Sequence, residues 1–281
     1  MNKKYEFTGE TKTLEYGTNL HRIRALRDFA DVHAGDLGGW IEKEENLSHE
    51  GNAWVFNDAR VFDNAKVSGN ALVFDDACVF YNAKISENAK VSGNARVHGD
   101  ALVSGNAHIF GDASVIGDSR ISGNVRVFGN SLVYGHACIS ENAKISGSAH
   151  VYGNARVYDT AWITNNARVL DNVQVCGDAY IYGNAYIYDD VYISGDARVC
   201  YNRIPADVSS SNDIINIGPI GSREDSYVTF VKTKDTIMVS TGCFGGNIDE
   251  FEKAVEKTHG DNNYGKDYKA AIAFAKTKFG M

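Results

Sequence analysis

VFNDAR-VFDNAK-VSGNAL-VFDDAC, residues 55–78, decides the fold. The unit is six residues long and opens on an aliphatic residue. Every sixth position from Val55 to Val199 is Val or Ile, twenty-five in succession with no insertion. Four places further on stands Ala in most units, and Ser or Val at Ser119, Val125, Ser131, Val173 and Val191. The two residues before it are drawn mostly from Gly, Asn, Asp and Glu. A β-branched residue suits a strand and points one way while its neighbours point the other. Gly-Asn, Asp-Asn and Gly-Asp pairs tolerate left-handed backbone and make turns. The small fifth residue fits a tight corner. Strand and corner alternating at a period of six predict a narrow coil, whose turns stack about 4.8 Å apart.

Columns sharpen this expectation. Residues just after the inward aliphatic sort at intervals of eighteen. One column reads Phe62, Phe80, His98, Ile116, Tyr134, Tyr152, Leu170, Tyr188; another reads Phe56, Phe74, Ser92, Phe110, Phe128, Ser146, Thr164, Tyr182. A third is mostly serine, from Ser68 and Ser86 to Ser194, beside Lys66, Lys84, Arg120 and Arg156. A six-residue period does not require this sorting; a three-sided coil does. The units resemble the hexapeptide-repeat family, although that family often has Gly where this chain has Ser, Phe or Tyr. The resemblance implies an all-β solenoid, a left-handed parallel β-helix of triangular coils. Over 51–204 the count gives about eight coils, about 40 Å of rod.

The flanks differ from the repeat. Residues 1–50 are expected to form an N-terminal β cap, because a solenoid's open edges template aggregation unless covered. YEF, KTLEY and LHRIRAL read as strands, and Trp40 and Trp54 as covers for the core's end. RALRDFADVHAGDLGGWIEKEENLS is similar to the N-terminal segment of uncharacterised bacterial and phage hexapeptide proteins, some of which carry a transferase name by fold analogy. Residues 205–281 read as a small α+β module after a linker at SSSND (209–213). YVTFVKT and TIMVS form a hairpin. Asn247 and Glu250 make a capping box, Gly260 stops that helix, and Tyr264 to Phe279 supply a second.

Composition limits function. The formal charge of −8 argues against a general nucleic-acid or anionic-membrane binder. The N-terminus has no apolar signal region and no stretch is long enough to span a membrane, so the cytoplasm of a bacterium, or of a phage-infected cell, is expected. The five cysteines form no CxxC pair, and the calcium-binding β-roll pattern is absent, so no metal or cofactor is expected.

Three readings stay open. A non-enzymatic scaffold or binding protein, presenting its C-terminal module to a partner or ligand, follows from the unbroken repeat, from the appended module and from aromatic columns that would be large exposed apolar patches. Hexapeptide proteins commonly form trimers, so a homotrimer meeting through Phe62, Phe80, Phe110, Phe128, Tyr134, Tyr152 and Tyr188 is the expected assembly. Stacking within one chain is the competing account of those columns. Acyl transfer, common in the family, needs a histidine base in an intersubunit cleft. His98, His108, His136 and His150 fall in different columns without an evident carboxylate partner, and no loop leaves the coil. The third reading is capture of an anionic small molecule such as a nucleotide. Ser222 and Arg223 of IGPIGSR, Gly245 and Gly246 in a Gly-rich turn opening a helix, and His259 would carry it. Cys243 with His259 is a weaker nucleophile pair.

Overall fold

The computed structural model describes residues 3–15, 17–188, 190–195, 198–201, 213–221, 228–233, 235–241 and 244–281. The hexads form a parallel β-solenoid of about nine turns, and the chain divides into two compact units, 1–153 and 154–281.

In the first unit the coils have three faces. One carries Arg60–Val61, Cys78–Val79, Arg96–Val97, Ser114–Val115, Leu132–Val133 and His150–Val151; the second carries Lys66–Val67 to Cys138–Ile139; the third runs from Trp54–Val55 to Lys144–Ile145. Strands eighteen residues apart pair in parallel, as Lys90 with His108 and Val91 with Ile109. Each inward Val or Ile is fully buried, or within 1% of it, a gain of about 1.5–3 kcal/mol apiece. The first corner residue takes left-handed φ in coil after coil: Asp63 at 55°, Asp75 at 59°, Gly105 at 68°. Tyr81 does so too, at 56°; its ring lies 5.1 Å from Phe80 and its amide donates to Asp63 Oδ2 at 3.1 Å.

The coil begins earlier than the strict hexad suggests. β1 (Tyr5–Thr13) and β2 (Asn19–Ala25) are an antiparallel hairpin, and β3 (Leu37–Ile41) lies antiparallel to β2 and parallel to Arg60–Val61. Ile41 pairs with Val61, and Leu47 with Val67. These two buried residues are six apart and sit in the first inward places. Leu47 and Val55 are then eight apart, and that two-residue excess hides the first turn from a search at period six. This accounts for about nine turns rather than eight.

Trp54 is fully buried beneath the cap, with Phe29 at 5.3 Å and Tyr5 at 6.1 Å. Its neighbour Gly38 permits the approach: a Cβ there would stand 2.8 Å from Trp54 and 2.5 Å from Ile23. Trp40, expected to cover the core as well, lies beside the inward-facing Ile41 and turns the other way. Its indole donates to Asp58 at 3.3 Å, with Arg22 over the ring at 5.3 Å.

In the second unit the coils continue from Arg156–Val157 to Arg198–Tyr201. The four-stranded antiparallel sheet of β4 (Ile214–Ile217), β5 (Val228–Lys232), β6 (Ile237–Thr241) and β7 (Phe244–Asn247) follows. Then come α1 (Ile248–His259) and α2 (Asn263–Phe279). Val228, Phe230, Ile237 and Val239 pack on Phe251, Val255, Ile272 and Ala275 of the helices. The alternate residues Thr229, Val231, Met238 and Ser240 are buried as well. Thr229 Oγ1 hydrogen-bonds the Arg198 carbonyl and Asn216 Oδ1, so this second face of the sheet lies on the last coil strand. The module therefore closes the C-terminal end of the solenoid.

Candidate functional surfaces

The aromatic columns stack. Phe62 and Phe80 are 5.0 Å apart and 4° from parallel, and His98 continues the stack at 4.5 Å. Phe110–Phe128 are 4.9 Å apart at 5°, and Tyr134–Tyr152 4.6 Å apart at 6°. Such pairs contribute about 0.5–1.5 kcal/mol beyond the area they bury. All six Phe and Tyr rings remain half-exposed. They fall on two faces, with Phe62, Phe80, Tyr134 and Tyr152 on one and Phe110 and Phe128 on the other. Tyr188 packs beside Tyr186 at 5.3 Å.

Where a column holds a small residue, the gap is filled from the next coil. Ser92 stands between Phe74 and Phe110, and His108, sixteen residues on, leans over it with Nε2 3.0 Å from the Ser92 hydroxyl. His108 lies 4.5 Å from Phe110 and 6.3 Å from Phe74. Burial first, then Lys90 and Arg126, lower its pKa, so the ring is neutral at neutral pH. Tyr192 leans in the same way over Cys176, hydroxyl to sulfur 3.2 Å. The signal was present in the sequence as small residue at i and large residue at i+16. It explains His108 as packing. His98 is also depressed, by burial and then Arg96.

Corners carry polarised ladders. Asn52, Asn70, Asn88, Asn106 and Asn124 each donate Nδ2 to the next Oδ1 at 2.9–3.1 Å, the last to Asn142. The neighbouring ladder Asn64, Asn82, Asp100 ends on a carboxylate. One coil beyond, His136 Nδ1 lies 3.3 Å from Asp118, so this histidine does have the acidic partner that spacing alone did not reveal. Both side chains are more than half exposed. Asp118 also lines a groove of about 520 Å³ with Lys66, Lys84, Leu102 and Arg120. Lys66 and Lys84 face each other across paired strands.

Of the residues expected to hold an anion in the C-terminal module, the structure describes Gly245, Gly246 and His259. Gly245 and Gly246 belong to the strand β7, paired with Ser240 and Val239, and not to a turn. The amino end of α1 already has its acid: Glu250 Oε2 accepts the Asn247 amide at 2.9 Å, and Asn247 Oδ1 accepts that of Glu250 at 2.9 Å. An added Cβ at Gly246 would lie 2.6 Å from that carboxylate. His259 sits in the last turn of the same helix, about 18 Å from its start, against Tyr268 at 5.5 Å. Ser222, Arg223 and Cys243 lie outside the described residues. Among the described residues no cluster of His, Cys, Asp and Glu is arranged to hold a metal ion, and no helix is long and apolar enough to cross a membrane.

Repeat and coil together define a β-solenoid of the hexapeptide-repeat kind. Comparison with known proteins agrees: the family model described as the YdcK β-solenoid repeat matches residues 119–135. A protein of Escherichia coli (strain K12) named "Uncharacterized acetyltransferase YdcK" is 40% identical over 62 residues, 20% of this chain and 19% of that protein. The match thus spans about a fifth of the relative's length.

Proposed function

We propose that this protein is a non-enzymatic solenoid scaffold that acts through its sides, as a homotrimer joined along the stacked aromatic columns. The observation that carries the reading is the pair of half-exposed ladders on two faces. Interfaces are enriched in such rings at their cores. Sedimentation of the full chain tests this. The wild type should run as a trimer, and Tyr134→Asp with Tyr152→Asp, which puts two desolvated carboxylates at the contact, should run as a monomer. A monomeric wild type, or a double variant that assembles and captures partners unchanged, overturns it.

A second reading, acyl transfer, is favoured by the relative's name and by one site. His136, held by Asp118, is a solvent-accessible base. The groove ending at Asp118 carries Lys66, Lys84 and Arg120, suited to a phosphate-bearing acyl donor. Lys84 is three coils from His136, about 14 Å. Consumption of acetyl-CoA with an amine or hydroxyl acceptor, abolished in His136→Ala, would establish this reading and remove the first. Absence of turnover across a broad acceptor panel would sink it. The same groove, with its two lysines and Arg120, would also suit an anionic small-molecule ligand.

A further inference from the structure

The last coils differ in chemistry from the early ones. Phe dominates the aromatic positions before residue 130, whereas Tyr and Trp take over after it. These rings keep an apolar face and a polar edge, and so tolerate a wet site. Trp162, Tyr180 and Arg198 occupy matching outward positions on three successive paired strands. Trp162 is 37% exposed. Its ring lies 5.1 Å from that of Tyr180 at 54°, and Tyr180 is braced from behind by Tyr182 at 4.7 Å. The two rings line one open surface cleft with Thr160, Asp178 and Arg198. Asp178, hydrogen-bonded to Thr160, lines one flank and Arg198 another. The cleft encloses about 380 Å³, at the small end of the range for ligand sites.

We propose that Trp162, Tyr180, Asp178 and Arg198 form a binding site for a neutral saccharide. Charge decides the class. Among the described residues the cleft is lined by one carboxylate and one guanidinium, so an anionic ligand meets Asp178 and a cationic one meets Arg198. A neutral pyranose meets neither penalty. Its C–H face covers the indole, and its hydroxyls donate to Asp178 and accept from Arg198, whose fork gives two donors in fixed geometry. The site is independent of whether the solenoid transfers acyl groups.

Trp40 and Trp54 are buried, so Trp162 is the exposed one of three tryptophans and reports on its own site. The full-length protein is titrated with α- and β-linked glucose and N-acetylglucosamine tetrasaccharides, and with adenosine, glucose 6-phosphate and an unrelated peptide. A saturable blue shift with at least one neutral tetrasaccharide is expected, little changed by added salt. Calorimetry should then show affinity falling roughly tenfold or more in Trp162→Ala, the loss of a central aromatic contact. Asp178→Asn should also weaken it, and Trp162→Phe should retain part of it, separating lost contact from lost folding. No saturable shift with any tetrasaccharide, equal affinity in Trp162→Ala, or saturation only by adenosine, the sugar phosphate or the peptide overturns the assignment.

Discussion

The amide ladder has a direction, and that direction can be tested at Asn106. Its Nδ2 donates to Asn124 Oδ1 at 2.9 Å, and its Oδ1 accepts from Asn88 at 3.1 Å. Asn106→Ala removes both bonds on an exposed corner, so each is taken near the low end of the range for a net hydrogen bond, for a total of about 1–2 kcal/mol. At about 2–4 °C per kcal/mol for a larger domain, Tm should fall roughly 2–8 °C. Asn106→Asp is the sharper probe. It can still accept from Asn88 but has no donor for Asn124, and its carboxylate faces that carbonyl oxygen. Where an Asn of such a ladder meets an Asp, at Asp100, Asp112 and Asp190, the carboxylate is the acceptor. At neutral pH Asn106→Asp should therefore lose about 1 kcal/mol. Near pH 4, close to the ordinary Asp pKa of about 3.9, the protonated carboxyl becomes a donor. The Tm gap from wild type should then narrow, while the gap of Asn106→Ala stays constant. Scanning calorimetry of the three proteins at both pH values decides. If Asn106→Ala melts within a degree of wild type, or Asn106→Asp is the more stable at neutral pH, the ladder does not contribute as argued.

Three further outcomes are expected. Gly105→Ala should be much more destabilising than Gly195→Ala in urea titrations: both have left-handed φ, about 1–2 kcal/mol of strain, but a Cβ at Gly105 would lie 2.6 Å from the Gly123 amide whereas one at Gly195 meets nothing within 4 Å among the described residues. Lys4 is buried with Nζ 2.7 Å from the Ala53 carbonyl; burial, then Arg27, lowers its pKa from 10.5 to about 8. Between those values the unfolded chain binds more protons, so this group's contribution to stability rises with pH from about 8 upward. Denaturation midpoints kept below pH 10, where the raised phenol of Tyr5 begins to act oppositely, should show the rise in wild type and not in Lys4→Met. Asn247→Ala, by removing the cap of α1, should cost about 1 kcal/mol in the same titration.

Much of this architecture was legible because a six-residue period writes each inward position separately. Val55 to Val199, the corner pairs, the hairpin Val228–Thr241 and the capping box of Asn247 and Glu250 stand where the pattern puts them. What escaped has physical reasons. The first turn was hidden because Leu47 and Val55 are eight residues apart, which breaks a period without breaking the coil. Gly245 and Gly246 read as a turn because glycine carries no strand signature, yet register with Val239 and Ser240 makes them a strand. Ser92 with His108, and Asp118 with His136, are contacts between coils at offsets of sixteen and eighteen. A histidine's partner on a solenoid is found one turn away, not in the neighbouring sequence.

That spacing also changes the functional weight of each histidine. His108 has a hydroxyl partner, but Ser92 is 5% exposed and the ring is wedged between phenylalanines, so neither atom can reach a substrate without opening the ladder. His136 has the opposite character: an acidic partner, open solvent and a basic groove beside it. If the solenoid performs chemistry, His136 is where a proton can be moved. His108→Phe should then leave turnover intact and keep the stack, whereas His136→Gln should leave Tm intact and abolish turnover. If neither substitution changes anything but stability, the coil is a frame, and its sides rather than any proton carrier remain to be matched to a partner.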